Sequence, residues 1–197
     1  MNHIHIEKKG LRGLAIAESF KQGNLMSRLA GVVMRHDFII DGFVFGKCTV
    51  EGNDATDEIL DMYFRLNRDD ISYIMISGLI ISMYNIVDIK KIWQVTKIPV
   101  IGVTYEESEG IEDAIIHHFP NSYEGKLEQY HKLGKRIPMT LHTDHKLYVR
   151  NEGCSFDESK KILDMLTLQG SIPEPLKVAQ LLARETTLYD PQQQNPI

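Results

Sequence analysis

Two unbroken apolar runs, Tyr73-Ile74-Met75-Ile76 and Pro99-Val100-Ile101-Gly102-Val103, constrain the fold of this chain more than any other feature. A half-buried strand alternates apolar and polar residues, whereas a run with no polar beat must be covered on both faces. Between them, Asn85 to Lys97 carries Ile86, Ile89 and Trp93 at helical spacing, and this predicts a crossover helix. Strand, helix and strand in that order make a parallel pair inside a sheet with helices on each side.

The preceding third of the chain has a different rhythm. Leu11 to Ile16, Leu29 to Met34 and Phe38 to Val50 are rich in apolar, β-branched and aromatic residues. Lys21-Gln22-Gly23-Asn24 and His36-Asp37 separate them, which predicts a three-stranded antiparallel meander. Asp41-Gly42 inside the third run predicts a bulge or bend. Asp54 then stands where it can cap a helix bearing Ile59, Leu60, Tyr63, Phe64 and Leu66. Further on, Glu109 to His118 reads as a helix, a loop-rich stretch follows, and Lys146 to Val149 reads as a last short strand. Ser155-Phe156-Asp157-Glu158 matches a capping box opening a helix through Leu168, and Pro173 and Pro175 introduce a final helix. Three antiparallel strands followed by alternating helices and strands predict an α/β fold, the mixed sheet of the ribonuclease H-like arrangement.

The length of 197 residues suits one domain, expected over residues 1–189, with a Gln-rich tail at 190–197 expected to be flexible. No apolar stretch is long enough to span a bilayer, and the N-terminus lacks the apolar core of a signal peptide. Isolated Cys48 and Cys154 fit buried thiols in a reducing cytoplasm. A net charge of −5 argues against coating nucleic acid by bulk electrostatics, but leaves room for a local basic rim. His131, Lys132, Lys135 and Arg136 are one such cluster, placed in a loop; a solvated surface explains them as well. His117 and His118 are adjacent and poorly arranged to share a metal, His3 and His5 are terminal, and His142, Asp144 and His145 form a loose loop trio.

Several segments together resemble a known family. Gly31-Val32-Val33-Met34-Arg35, Thr49-Val50-Glu51-Gly52-Asn53-Asp54-Ala55-Thr56, Asn85-Ile86-Val87-Asp88 and Gly170 to Ala179 with its Pro-Glu-Pro are similar to an archaeal group. It is domain-of-unknown-function family ninety-nine, proposed to be deoxyuridine endonucleases related to endonuclease V. The likeness runs from about Leu11 to Ala183. It implies an endonuclease V-like fold, Mg²⁺ held by carboxylates at strand ends, and a nucleic-acid substrate, DNA before RNA.

The departures fall on the implied metal site. Where family members read Gly-Ile-Asp-Asp, this chain has Ala15-Ile16-Ala17-Glu18, and where they read Leu-Asp-Gly it has Ile76-Ser77-Gly78. Glu51 keeps the third acidic position. Metal-dependent nucleases use such carboxylates to hold the ions that activate water and neutralise phosphate charge. With Ala17 and Ser77 in place, Mg²⁺ is expected to bind weakly or not at all. Glu18 lies one residue late and, in an extended strand, faces the other side unless the chain kinks.

The resemblance makes Glu51 and Glu18 candidate metal ligands, and with Asp88 candidate catalytic residues. Asn85, Ser77, Asp54 and Lys177 are candidate substrate contacts. Asn85 and Asp88, one helical turn apart, are read as sharing a helix face; capping explains Asn85 equally well, and Asp54 reads as a helix cap before a ligand. Glu51, Ser77 and Asp88 are expected to line one concave site. Three functions stay open: a binding or regulatory protein with an eroded metal site, a working Mg²⁺ endonuclease with rearranged ligands cutting near deaminated bases, or a protein-interaction subunit. The sequence leaves the oligomeric state open and implies no membrane partner.

Overall fold

The computed structural model describes Ile4 and residues 10–189. Strands β1 (Arg12–Ser19), β2 (Met26–Arg35) and β3 (Ile40–Thr49) form the meander. Helix α1 (Ala55–Leu66) leads to β4 (Ile71–Ser77), then to a small hairpin of β5 (Ile80–Ile81) and β6 (Asn85–Ile86). Next come α2 (Ile89–Thr96), β7 (Val100–Thr104), α3 (Glu112–His118) and α4 (Tyr123–Lys132). Strands β8 (Ile137–Thr140) and β9 (Lys146–Glu152) precede α5 (Phe156–Leu166) and α6 (Glu174–Leu188).

The seven long strands lie in the order β3-β2-β1-β4-β7-β9-β8. β1, β4 and β7 are parallel, and the remaining neighbours pair antiparallel. This is the α/β mixed sheet of the ribonuclease H-like arrangement. Both apolar runs fall in its parallel centre, and Ile74, Met75, Ile76, Val100, Ile101 and Val103 are all buried.

Alternation along β1 explains the two layers. Leu14 and Ile16 turn toward α1 and α2, where they meet Val44, Ile59, Met62 and Ile92. Ala15 joins a second cluster with Ile162, Leu163 and Leu166 of α5 and Leu176 of α6. Ala17 continues that face, packed with Val32, Met34 and Ala179. Each run is thus covered on both sides, removing from water a continuous apolar surface worth roughly 25 cal/mol per Å².

Several local expectations hold in detail. The β2–β3 register shifts between Val33↔Gly42 and Met34↔Ile40, leaving Asp41 as the extra residue of a bulge. Ser155 and Glu158 form both halves of a capping box. Other boundaries differ. The crossover helix begins at Ile89, because Asn85 and Ile86 pair with Ile81 and Ile80 instead. The stretch read as loop-rich contains α4 and β8. α4 has a polar surface, an internal Gly125 and no side-chain cap at Ser122, while β8 is an edge strand interrupted by Pro138, so neither carries the usual signal. His3, His5 and the tail at 190–197 lie outside the described residues.

Among the described residues, no helix is long and apolar enough to cross a membrane.

Candidate functional site

The parallel strands β1, β4 and β7 end along one edge of the sheet, and a cleft of about 490 Å³ opens there. Ligands of open α/β sheets bind at this carboxyl edge because loops diverge from it. Glu18 and Ser77 line the cleft with Leu79 and Ser82, facing Arg136 and Arg150.

Ile16 pairs with Ile76, so Ala17 and Ser77 follow as the next residues of adjacent strand ends. Both positions look toward α6. The Ala17 side chain packs beside Ala179, and the Ser77 hydroxyl accepts a 2.8 Å hydrogen bond from the Gln180 amide. Tyr105 lies against the same pair, and burial pushes its hydroxyl pKa up to about 12. Where the family resemblance calls for two acids, α6 thus supplies a methyl contact and a neutral amide.

Glu18 stays in register with Leu29 and the strand does not kink, so its side chain leaves on the opposite face from Ala17. There its Oε1 accepts a 3.0 Å bond from the Ser82 hydroxyl. Ser82 in turn contacts the Ser27 hydroxyl at 2.5 Å and Cys48 Sγ at 3.2 Å, all within the protein. Burial raises the pKa of Glu18, with the hydrogen bonds of Ser82 and Ser27 pulling the other way.

Glu51 follows β3 in a left-handed conformation, φ 64°. Its amide donates to the Ser82 carbonyl at 2.7 Å, while its carboxylate turns away to His118 Nε2 at 2.8 Å. His118 lies over Tyr84 with centroids 5.1 Å apart. The ammonium of Lys126, only 6% exposed, donates to the carbonyls of Gly52, Tyr84 and Glu51 at 2.5, 2.8 and 3.2 Å. It ties the turn after β3 to the β5–β6 turn, whose Ser82, Met83 and Tyr84 all have positive φ, at 47°, 55° and 68°. Three consecutive left-handed non-glycine residues carry strain that only a well-held surround sustains.

The remaining candidates are placed elsewhere or already engaged. Asn85 was read as a substrate contact on a helix face; it is fully buried in β6. Its Oδ1 accepts from the Ala55 amide, and its Nδ2 donates to the Thr49 carbonyl and to Asp54. Asp54 occupies the N-cap position of α1 without capping it. Its carboxylate turns back to the Thr49 amide and hydroxyl, and those bonds with Asn85 outweigh burial and hold its pKa below the ordinary carboxylate value. Both therefore bracket β3 to α1 and β6. Asp88 caps α2 through the Lys91 amide and lines a separate cavity of about 260 Å³ with Thr56 and Lys132. Ser77 thus lines the main cleft, Asp88 the smaller cavity, and Glu51 neither of these two. Lys177 pairs with Glu174 one turn back on α6.

Mg²⁺ asks for several oxygen ligands with negative charge in a tight octahedron. Of the carboxylates lining the cleft, Glu18 is on the opposite face from Ser77, and Glu106 and Glu107 stand on the rim with Arg136; Glu51 points to His118. Among the described residues, no three His, Cys, Asp or Glu side chains are grouped to hold a metal ion. The donor set does not fit a Mg²⁺ centre. The loop trio does not converge either: His142 turns to Asp164, and His145 contacts the Thr143 carbonyl.

Lys126, His118, Ser82, Gln180 and Arg150 have no motif that singles them out, and only long-range pairing brings them here. The basic cluster is split by the fold. His131 and Lys132 end α4, where Lys132 pairs with Glu128, while Arg136 reaches the Glu106 and Ser108 carbonyls and stacks on Tyr148. Arg150 lies over Tyr130 and donates to the Gly134 carbonyl. The cleft rim is thus mixed, with Arg136 and Arg150 alongside Glu106 and Glu107.

Comparison with known proteins places this geometry. Residues 9–187 match the family model described as endonuclease dU. A UPF0215 protein of Pyrobaculum calidifontis is 34% identical over 177 residues, covering 89% of this chain and 97% of that one. Among solved structures, a protein of unknown function from Archaeoglobus fulgidus superposes with a TM-score of 0.76 at 25% identity, covering 89% of this chain and 97% of the other. Endonuclease V of Ciona intestinalis, in complex with DNA containing an inosine followed by a ribo-adenosine, has a TM-score of 0.60 at 14% identity, covering 91% and 86%.

Proposed function

Because the chain belongs to the endonuclease dU family and has the fold of endonuclease V, we propose that it is a nucleic-acid-binding protein descended from a metal-dependent endonuclease and no longer cutting. One observation carries the reading: Ala17 packs on Ala179 and Ser77 is bonded by Gln180, so the strand ends that would need carboxylates are satisfied without a metal. Hydrolysis of a phosphodiester at neutral pH draws on metal ions to activate water and balance charge. With the metal route of this fold closed, we read the cleft as a recognition surface.

The cleft supports that role. Leu79, Ile80 and Ile81 give it an apolar wall, Tyr84 and Tyr130 add aromatic faces, and Arg136 and Arg150 interrupt the acidic rim. A nucleobase needs the first two and its phosphate the third. DNA is the favoured partner, since the similar endonuclease V is bound to DNA. The buried unpaired thiols of Cys48 and Cys154 support a reducing, cytoplasmic setting.

The test is fluorescence anisotropy with labelled single-stranded DNA or RNA containing deoxyuridine, inosine or neither, in EDTA and in Mg²⁺, alongside a nicking assay. Binding that is unchanged by EDTA, with no product in Mg²⁺, supports the proposal. Multiple-turnover cleavage in Mg²⁺ restores the reading of an active endonuclease with Glu18 as a shifted ligand. No binding to any oligonucleotide leaves the protein-interaction subunit.

A further inference from the structure

β3 is the outer strand of the sheet, and its central sequence is self-complementary. Asp41-Gly42-Phe43-Val44-Phe45-Gly46-Lys47 reads the same in both directions about Val44, apart from its ends, which carry opposite charges. We infer that this edge is where two copies of the chain pair, antiparallel about Val44, to make a two-fold dimer with one continuous sheet.

The main-chain geometry fits this occupant. The Lys47 amide donates to Glu58 and the Thr49 amide to Asp54, so odd-numbered amides of β3 point away from β2. At the other end, the Asp41 carbonyl accepts from Arg68. Both ends of the edge are therefore sealed by side chains, while the alternation leaves the amides and carbonyls of Phe43 and Phe45 directed outward between them. Unguarded strand edges attract strands, and proteins usually blunt them with charge or bulges. Here the bulge at Asp41 and the side-chain seals confine pairing to the symmetric centre.

In that register Phe43 of one copy faces Phe45 of the other and the two exchange amide-to-carbonyl bonds; the dyad repeats the pair. Phe43 and Phe45 are 49% and 44% exposed, a large apolar area for two neighbouring side chains on one face of a strand. Their partners across the strand pair, Val32 and Ala30, lie on the α6 side of the sheet, so both phenylalanines stand on that side. Gly42 comes opposite Gly46, while Asp41, the bulge residue, has its carboxylate held by Arg12 and Arg68 at 2.6 and 3.2 Å and stays outside the pairing. An unrelated peptide strand would meet the same amides without this pairing of aromatic with aromatic and glycine with glycine. Because the same patch serves both copies, the assembly closes at two. β3 runs parallel to β1, so antiparallel pairing points the carboxyl edges of the two sheets, and their clefts, in opposite directions.

Sedimentation velocity over a wide concentration range tests this on the full chain. The expected result is a reversible shift from 22.6 kDa toward twice that mass. Phe45→Lys is exposed enough to leave the fold intact and should weaken the dimer roughly tenfold, since both symmetry-related aromatic pairs are lost. Register is read by mild oxidation: Phe43→Cys mixed with Phe45→Cys should cross-link, and neither variant should cross-link alone. A monomer at every concentration overturns the inference. So does a dimer untouched by Phe45→Lys, or one in which a single cysteine variant cross-links by itself.

Discussion

Replacing Lys126 with methionine removes one ammonium that holds two turns together. Its three carbonyl partners, on Gly52, Tyr84 and Glu51, lose their donor at once. Hydrogen bonds to a charged donor contribute about 1.5–3 kcal/mol each. Two effects reduce the sum. Gly52 and Tyr84 are only half-buried and Glu51 is exposed, so water can replace part of what is lost. Burial also lowers the pKa of Lys126, so the native ammonium already bears a desolvation cost that methionine avoids, while the charges of Glu51 and Asp54 pull the other way. We expect a net loss of about 2–3 kcal/mol. For a chain of this size that is a fall in Tm of roughly 5–10 °C. Urea unfolding followed by the fluorescence of Trp93 and by circular dichroism measures it, with an unchanged m-value showing that both end states are preserved. The left-handed turn at Ser82 to Tyr84 should also loosen, visible as faster amide exchange at Glu51, whose N–H donates to Ser82. A loss below about 0.5 kcal/mol would mean that the ammonium is solvated and the clamp absent.

Glu18→Gln gives a pH test. Burial raises the folded pKa of Glu18 above its ordinary 4.5, so protonation stabilises the native state; that contribution is full below pH 4.5 and lost as pH rises through the folded value. Glutamine keeps an acceptor for Ser82 without the charge. The variant should therefore melt higher than wild type at neutral and alkaline pH, with the gap closing toward acid; a gap of the opposite sign refutes the burial argument. Asn85→Ala strands the Ala55 amide and the Thr49 carbonyl, and should cost about 2–4 kcal/mol in chemical denaturation. A near-neutral effect would mean that Asn85 does not bracket β3, α1 and β6.

The layered architecture was legible because it rests on patterns local to the chain. The buried runs around Ile74 and Ile101, the bulge at Asp41 and the capping box at Ser155 each leave a short-range mark. The helix α4 was not legible, having little apolar periodicity and no cap, nor was the turn that makes Asn85 a strand residue. Among site residues, the sequence marked Ala17 and Ser77 as departures and set Glu18 on the opposite face from Ala17, as alternation in a regular strand requires. It did not place Asp88 in a different cavity or turn Glu51 toward His118. Those outcomes depend on contacts such as Glu51–His118 and Gln180–Ser77, which join distant parts of the chain.

The central claim is that two side chains separate this protein from a metal-binding nuclease scaffold. Calorimetric titration of Mg²⁺ into wild type and into Ala17→Asp/Ser77→Asp tests it most directly. The wild type should show only weak, non-stoichiometric heats, because Ala17 and Ser77 leave the strand ends without the charge to offset dehydration of the ion. The double variant sets two acids on adjacent strand ends, where they repel until an ion binds, so it should bind Mg²⁺ stoichiometrically and gain thermal stability from it. Neither single variant should suffice, as the two changes act through one shared ion. Tight stoichiometric binding by the wild type, or none by a folded double variant, would contradict the account.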